Sequence, residues 1–79
     1  MDIKEIEEKV KAFLTEELEI DEDKIFPESR LKEDMGIDSL EVVDVVVLVE
    51  QEFGFKMKNE DFKTVPTFES FCQFIQQHV

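Results

Sequence analysis

The feature that most constrains this 79-residue chain is a valine-rich run near its centre. Residues 42 to 49 contain six valines, one leucine and a single acid, Asp44. Intrinsic propensity alone favours a buried β-strand for such a run. However, Asp38 and Glu41 form an Asp-x-x-Glu pattern that is typical of a helix start, and the acids of the segment fall at helical spacing. Gly54 is then expected to end the helix. The residues therefore leave helix and strand open, with helix slightly favoured because a strand has no obvious partner here.

If the run is helical, its two faces differ in character. The face expected to be buried comprises Val42, Val46, Val49 and Phe53. The face expected to point outward comprises Glu41, Asp44, Leu48 and Gln51. Leu40 and Val47 lie on or beside the outward face, and exposed apolar residues flanked by acids are typical of a docking surface. An acid placed at Val46 is expected to loosen the core.

Periodic apolar residues predict one helix on each side of this run. Residues 2 to 18 place their apolar side chains on one face, with Asp2 and Glu5 as a capping box. Thr67, which follows a proline, is expected to cap a last helix that runs from Phe68 to about residue 77. The buried side chains expected on that helix are Phe68, Phe71, Cys72, Ile75 and Val79.

The two remaining segments predict a long loop and a short helix. Residues 19 to 37 have no sustained period, and spaced apolar residues are expected to pin them across the core. These anchors are Ile25, Phe26, Leu31, Met35 and Ile37. Asn59 can cap one or two helical turns that end near Lys63. The predicted fold is all-α: a four-helix bundle of three main helices and one short helix in a single domain, residues 1–79.

Charge and composition narrow the range of functions. Twenty-one acids against nine basic residues give a net charge of −12, which disfavours nucleic acid and anionic lipid and favours basic protein partners. A single cysteine allows neither an internal disulfide nor a cysteine metal cage, and the acids at 21–23 do not fit an EF-hand loop. The charged first residues do not resemble a signal peptide, and no apolar run is long enough to span a membrane. A cytoplasmic monomer is expected.

Ser39 is the residue whose type and position most clearly suggest a chemical role. His78, the only histidine, is penultimate and is expected to fray in solvent, so no catalytic triad is predicted. Ser39 stands at the expected first turn of the central helix, where backbone N–H groups and the helix dipole favour an anionic group such as a phosphate ester. From the residues alone, an ordinary helix-start residue is the better interpretation of Ser39.

The sequence around Ser39 resembles that of the acyl carrier proteins. Residues 36–40, Gly-Ile-Asp-Ser-Leu, are similar to the Gly-x-Asp-Ser-Leu motif of that family, and the resemblance extends over essentially the whole chain. It implies that the valine run is helical and that Ser39, flanked by Asp38 and Leu40, carries 4′-phosphopantetheine transferred from coenzyme A by a phosphopantetheinyl transferase. It further implies a carrier without catalytic activity, which presents acyl thioesters to enzymes of fatty-acid, polyketide or specialised-lipid synthesis.

The resemblance also implies two contact regions. The recognition surface for basic patches on partner enzymes would comprise Leu40, Glu41, Asp44, Val47 and Glu50. The pocket for the acyl chain would comprise Val43, Val46, Phe62, Val65 and Phe71. Phe62 and Phe71 are larger than is usual in the family, and residues 55–65 carry three lysines where fatty-acid carriers are usually acidic, which suggests a specialised cargo. The alternatives are an unmodified acidic helical adaptor and a peptidyl or D-alanyl carrier.

Overall fold

The computed structural model describes residues 2–79, and Met1, which the expected domain includes, lies outside them. Three α-helices form the fold: α1 (Ile3–Glu16), α2 (Ser39–Phe53) and α3 (Phe68–His78). Two short 3₁₀ helices, Glu22–Lys24 and Asn59–Lys63, interrupt the connections. Within the described residues there is no β-strand, only an isolated bridge between two residues. The predicted all-α fold with one short fourth helix is confirmed, and the valine run is helical.

Helices α1 and α3 pack their apolar faces against each other, and α1 also contacts α2. The buried residues of α1 are Ile6, Val10, Phe13 and Leu14, and those of α3 are Phe68, Phe71, Cys72 and Ile75. The predicted capping box at the start of α1 is wrong. Asp2 occupies the N-cap position but its side chain makes no capping hydrogen bond. The cap predicted for α3 is confirmed, because Thr67 Oγ1 accepts a hydrogen bond from the Ser70 N–H at 3.2 Å.

The buried face of α2 is rotated relative to the one expected from the sequence. Val45 and Val49 are completely buried. The residues that are half-buried are Val42, Val46, Leu48 and Phe53. Leu48 was expected to point outward, yet it packs against the core. Because α2 is apolar on almost every side, its pattern does not locate the centre of the buried face.

The long loop is pinned to the core as predicted, except at one residue. Its buried anchors are Ile20, Ile25, Leu31, Met35 and Ile37. Phe26, also expected to be an anchor, is 56% exposed. The cause is a tight turn in which the Ser29 N–H donates to the Phe26 carbonyl at 3.0 Å, while the Phe26 N–H donates to Ser29 Oγ at 2.9 Å. This turn buries Ser29 and leaves the Phe26 ring on the surface.

Backbone hydrogen bonds join the loop to the start of α3. The Leu31 N–H donates to the Pro66 carbonyl at 2.9 Å, and the Phe68 N–H donates to the Ser29 carbonyl at 2.8 Å. These two bonds bring the segment before α2 beside the segment that follows the second 3₁₀ helix. That helix begins at Asn59, so Asn59 is not its cap as predicted; instead the Asp61 carboxylate accepts from the Lys58 N–H at 2.9 Å.

The C-terminal end of α3 is more ordered than the sequence suggested. His78 belongs to the helix, and its ring stacks on Phe74 and Phe55 with centroids 4.2 and 5.2 Å away. Its Nδ1 lies 2.8 Å from the Phe74 carbonyl oxygen. Val79, expected on the apolar face, is exposed. His78 is thus exposed to solvent, but its ring stacks on Phe74 and Phe55 rather than fraying away from the helix.

Candidate functional site

Ser39 is the first residue of α2, and the preceding Asp38 caps the helix. Asp38 Oδ1 accepts hydrogen bonds from the backbone N–H groups of Leu40 at 3.0 Å and Glu41 at 3.1 Å. Among the described residues, the Glu41 carboxylate accepts no hydrogen bond from the Asp38 N–H, so only the Asp38 half of a capping box is formed. The Asp38 carboxylate already uses two of the N–H groups that were expected to favour a phosphate. Ser39 itself is exposed to solvent.

The approach to Ser39 depends on a glycine with a left-handed backbone. Gly36 has a φ of +74°, a conformation that residues with a Cβ rarely adopt. Immediately after it, Ile37 turns into the core, and its N–H donates to the Leu31 carbonyl at 2.9 Å. This change of direction allows Ile37 to be buried while Ser39, two residues later, faces solvent.

A cavity of about 620 Å³ opens beside Ser39. It lies between the loop, the first turn of α2 and the second 3₁₀ helix. Its apolar lining residues are Leu31, Ile37, Val42, Phe62, Val65 and Pro66. Its charged lining residues are Arg30, Lys32, Glu33, Asp38, Glu60 and Lys63. A largely apolar cavity with a few polar groups at its border is the usual form of a small-ligand site.

The five residues expected to form an acyl pocket lie in different places. Phe62 and Val65 line the cavity. Val43 is 51% exposed on the surface, and Val46 is half-buried without lining the cavity. Phe71 is completely buried in the core, with its ring centroid 5.5 Å from that of Phe62.

Sequence reasoning did not identify the other apolar walls of this cavity. Leu31 and Ile37 come from the loop, and Val42 comes from the first turn of α2. The loop and the residues after the second 3₁₀ helix are distant in sequence, and no local periodicity relates them. The only available signal was the resemblance of the residues approaching Ser39 to the family pattern.

The outward face of α2 combines acids with exposed apolar residues. Leu40 is 80% exposed and Val47 is 47% exposed, and Asp44 and Glu50 are also exposed. Glu41 is half-buried. Val43, which was assigned to the pocket, lies on this face instead, as its i+3 spacing from Leu40 could have indicated. Residues 38–52 contain five acids and neither lysine nor arginine, so the segment that includes this face is strongly anionic.

The charged residues at the cavity differ in how they are paired. Arg30 forms ion pairs with Glu33 and Asp34 in its own turn. The Arg30 backbone N–H, 2.8 Å from Asp34 Oδ2, is the main cause that holds the pKa of Asp34 below its ordinary value. By contrast, Lys32 and Lys63 form no ion pair with any residue from 2 to 79.

Cys72 is a core residue, as the sequence predicted. Burial, with a smaller contribution from the charge of Glu7, raises the pKa of its thiol to about 12. A thiol that stays protonated at neutral pH is a poor nucleophile. Cys72 therefore contributes to packing between α1 and α3 rather than to chemistry.

Comparison with known proteins identifies the family. The family model described as "Phosphopantetheine attachment site" matches residues 8–75. The chain is 35% identical over 79 residues to a protein of Thermosynechococcus vestitus named "Acyl carrier protein", covering 100% of this chain and 98% of that relative. The chain therefore belongs to the acyl carrier protein family. Its cofactor is 4′-phosphopantetheine, and its role is that of a carrier without catalytic activity of its own.

These matches confirm the family, the cofactor and the carrier role predicted from the sequence. In general terms, such a carrier interacts with a transferase that loads it and with synthesis enzymes that use it. None of the helices within residues 2–79 combines the length and the apolar character needed to cross a membrane.

Proposed function

We propose that Ser39 is the residue that carries 4′-phosphopantetheine, and that the chain presents acyl groups to synthesis enzymes from this position. The observation that supports this most strongly is the exposure of Ser39 at the mouth of the cavity. The other two serines are less suitable. Ser29 is buried and accepts a backbone hydrogen bond, and Ser70 is engaged with Thr67 in the cap of α3.

The residues around Ser39 fit such a group. An arm esterified to an exposed hydroxyl at a cavity mouth has access both to partner enzymes in solvent and to the apolar walls beside it. When bound, the group supplies a terminal thiol that holds the acyl chain as a thioester. The protein itself supplies the tether and a high local concentration of cargo for the partner enzymes.

Enzymatic loading tests the attachment site. The purified protein, incubated with coenzyme A and a phosphopantetheinyl transferase of broad specificity, should gain the mass of one phosphopantetheine. Ser39→Ala should abolish the gain while the far-UV circular dichroism spectrum remains helical. Ser70→Ala is the control, because it removes a hydroxyl of the α3 cap but should retain the gain. A folded wild-type protein that gains no mass would favour the unmodified acidic adaptor.

We propose that the outward face of α2 is the docking surface for the partner enzymes. The surface is formed by Leu40, Glu41, Asp44, Val47 and Glu50, with Val43 beside them. Its support is the exposure of Leu40, Val43 and Val47 next to one another within an acidic surface, because contiguous exposed apolar patches commonly mark interaction sites. Partners with basic patches would be steered to it, and the apolar residues would be buried on contact.

We further propose that the cargo is short or unusual, as in polyketide or specialised-lipid synthesis, rather than a long saturated fatty acyl chain. Phe62 forms part of the cavity wall, and the fully buried Phe71 ring lies behind it. The interior behind Phe62 is therefore already filled. A chain long enough to extend past Phe62 would have to displace packed aromatic rings, and overpacking a core typically destabilises it by about 1–3 kcal/mol.

A series of acyl forms tests the cargo proposal. Melting temperature should rise from short to medium acyl chains and then level off or fall in the wild-type protein. Phe62→Ala should extend the rise to longer chains, because it removes a bulky wall. Phe26→Ala is the matched control, since Phe26 is exposed and lines no part of this cavity. A smooth rise with chain length in the wild-type protein would contradict the proposal.

A further inference from the structure

Two lysines border the cavity beside Ser39 without an acidic partner. Lys32 lies in the loop before α2, and Lys63 is the last residue of the second 3₁₀ helix. Neither ammonium group forms an ion pair in the part of the chain that the structure describes. The third cation at the cavity, Arg30, is paired with acids of its own turn.

The acids at the same cavity are mostly engaged elsewhere. Glu33 pairs with Arg30, and the Asp38 carboxylate accepts two backbone N–H groups at the start of α2. Of the acids that line the cavity, Glu60 alone has neither an ion-pair partner nor a backbone N–H donor within residues 2–79. The cavity border thus carries three cations and three acids, and Lys32 and Lys63 are the two cations there that no acid pairs within residues 2–79.

We propose that Lys32 and Lys63 bind the phosphodiester of the phosphopantetheine group on Ser39, and so hold the arm over the cavity. This inference rests on the proposed attachment at Ser39. A phosphodiester is an anion at neutral pH, and the acids of α2 repel it. Two ammonium groups on flexible side chains offset that repulsion, and lysine binds phosphate well as a mobile point charge.

The phosphodiester is a better ligand for these lysines than an anionic cargo is. A carboxylate at the far end of an acyl chain has the same sign of charge. However, its position depends on the chain that happens to be loaded. The phosphodiester is bonded directly to a residue of this cavity and is present in every loaded form of the protein.

The experiment compares the apo and holo forms of the wild-type protein and of the double variant Lys32→Gln/Lys63→Gln. Loading is first verified by intact mass. The double variant should lower the melting temperature of the holo form relative to its own apo form by about 2–5 °C at low salt. The ³¹P chemical shift of the holo form should also change. Near 1 M salt, where the Debye length is about 3 Å, most of the difference in melting temperature should disappear.

The double variant Lys56→Gln/Lys58→Gln is the matched control. It removes the same charge from the same acidic protein, but neither of its lysines lines the cavity. It should retain the apo-to-holo difference and the ³¹P shift of the wild-type protein. Equal effects in the two double variants would overturn the proposal, as would an effect seen only with a cargo that carries a carboxylate. A protein that fails to load at Ser39 is recognised by mass before any melting is measured.

Discussion

Helices α2 and α3 are both rich in apolar residues, but they distribute them differently. Helix α3 is sharply amphipathic, and the side chains of its apolar stripe, such as Phe71 and Ile75, are buried between the helices. Helix α2 is apolar on nearly all sides, yet only Val45 and Val49 are fully buried. The apolar residues that α2 leaves exposed are not needed to complete the core. Their exposure beside acids is the observation on which the proposed docking surface rests.

The largest expected effect separates the two faces of α2. Val45→Asp should destabilise the fold by about 4 kcal/mol or more, because it places a carboxylate in a fully buried position. That loss is comparable with the whole free energy of unfolding of a domain of this size. Val47→Asp, half a turn away and exposed, should change stability by only about 0.5 kcal/mol. Urea denaturation followed by circular dichroism measures both.

The sequence alone suggested Val46 for this test. The structure makes Val45 the sharper choice, because Val46 is half-buried and an acid there could reach water. If Val45→Asp and Val47→Asp destabilised the protein equally, the division of α2 into a core face and a contact face would be wrong.

More of the fold than of the candidate site could be predicted from the sequence. The 3.6-residue period of α1 and α3 is a local property, and it located both helices and nearly all of their buried residues. The valine run of α2 has the composition of a strand, so its residues favoured a helix only slightly, and the family resemblance was needed to decide. Even then, the sequence placed the centre of its buried face near Val46 and Val49 instead of Val45 and Val49. Because α2 has apolar side chains all around its axis, their spacing fits several possible buried faces.

The cavity was beyond prediction from local pattern. It exists because the hydrogen bonds Leu31–Pro66 and Phe68–Ser29 join segments that are more than 30 residues apart. Neither bond is encoded by the side chains concerned, since both use backbone groups. Ser39 was identified because a short local motif includes it and its immediate neighbours. Phe71 was wrongly assigned to the pocket, because neither a motif nor periodicity reveals which element each side of α3 packs against.

The second prediction concerns the buried face of α3 and its dependence on pH. The pKa of Cys72 is raised from an ordinary value of 9.0 to about 12 in the folded protein. Above pH 9 the unfolded chain loses this proton while the folded chain keeps it, so ionisation favours unfolding. Stability should therefore be unaffected by Cys72 below pH 9 and should decrease by about 1.4 kcal/mol per pH unit between pH 9 and pH 12.

Cys72→Ala provides the control for this pH dependence. The variant should be less stable at pH 7, because it leaves a small cavity between α1 and α3. Its free energy of unfolding should nevertheless fall less steeply above pH 9 than that of the wild-type protein. Parallel slopes in the two proteins would show that Cys72 ionises equally in both states, and that the face of α3 is more open to water than its burial indicates.

The smallest expected effect lies on the outward face of α2, and it concerns rates rather than stability. Asp44→Lys should leave the melting temperature nearly unchanged, because Asp44 is exposed and forms no ion pair with any described residue. It should slow loading by the transferase roughly tenfold at low salt, since steering by a basic patch acts on the association rate.

Glu16→Lys makes the same change of charge at the end of α1 and should slow loading much less. The ratio of the two rates should approach one as added salt shortens the Debye length. If both variants slowed loading equally at every salt concentration, the net charge of −12 alone would explain the effect, and the outward face of α2 would not be the docking surface.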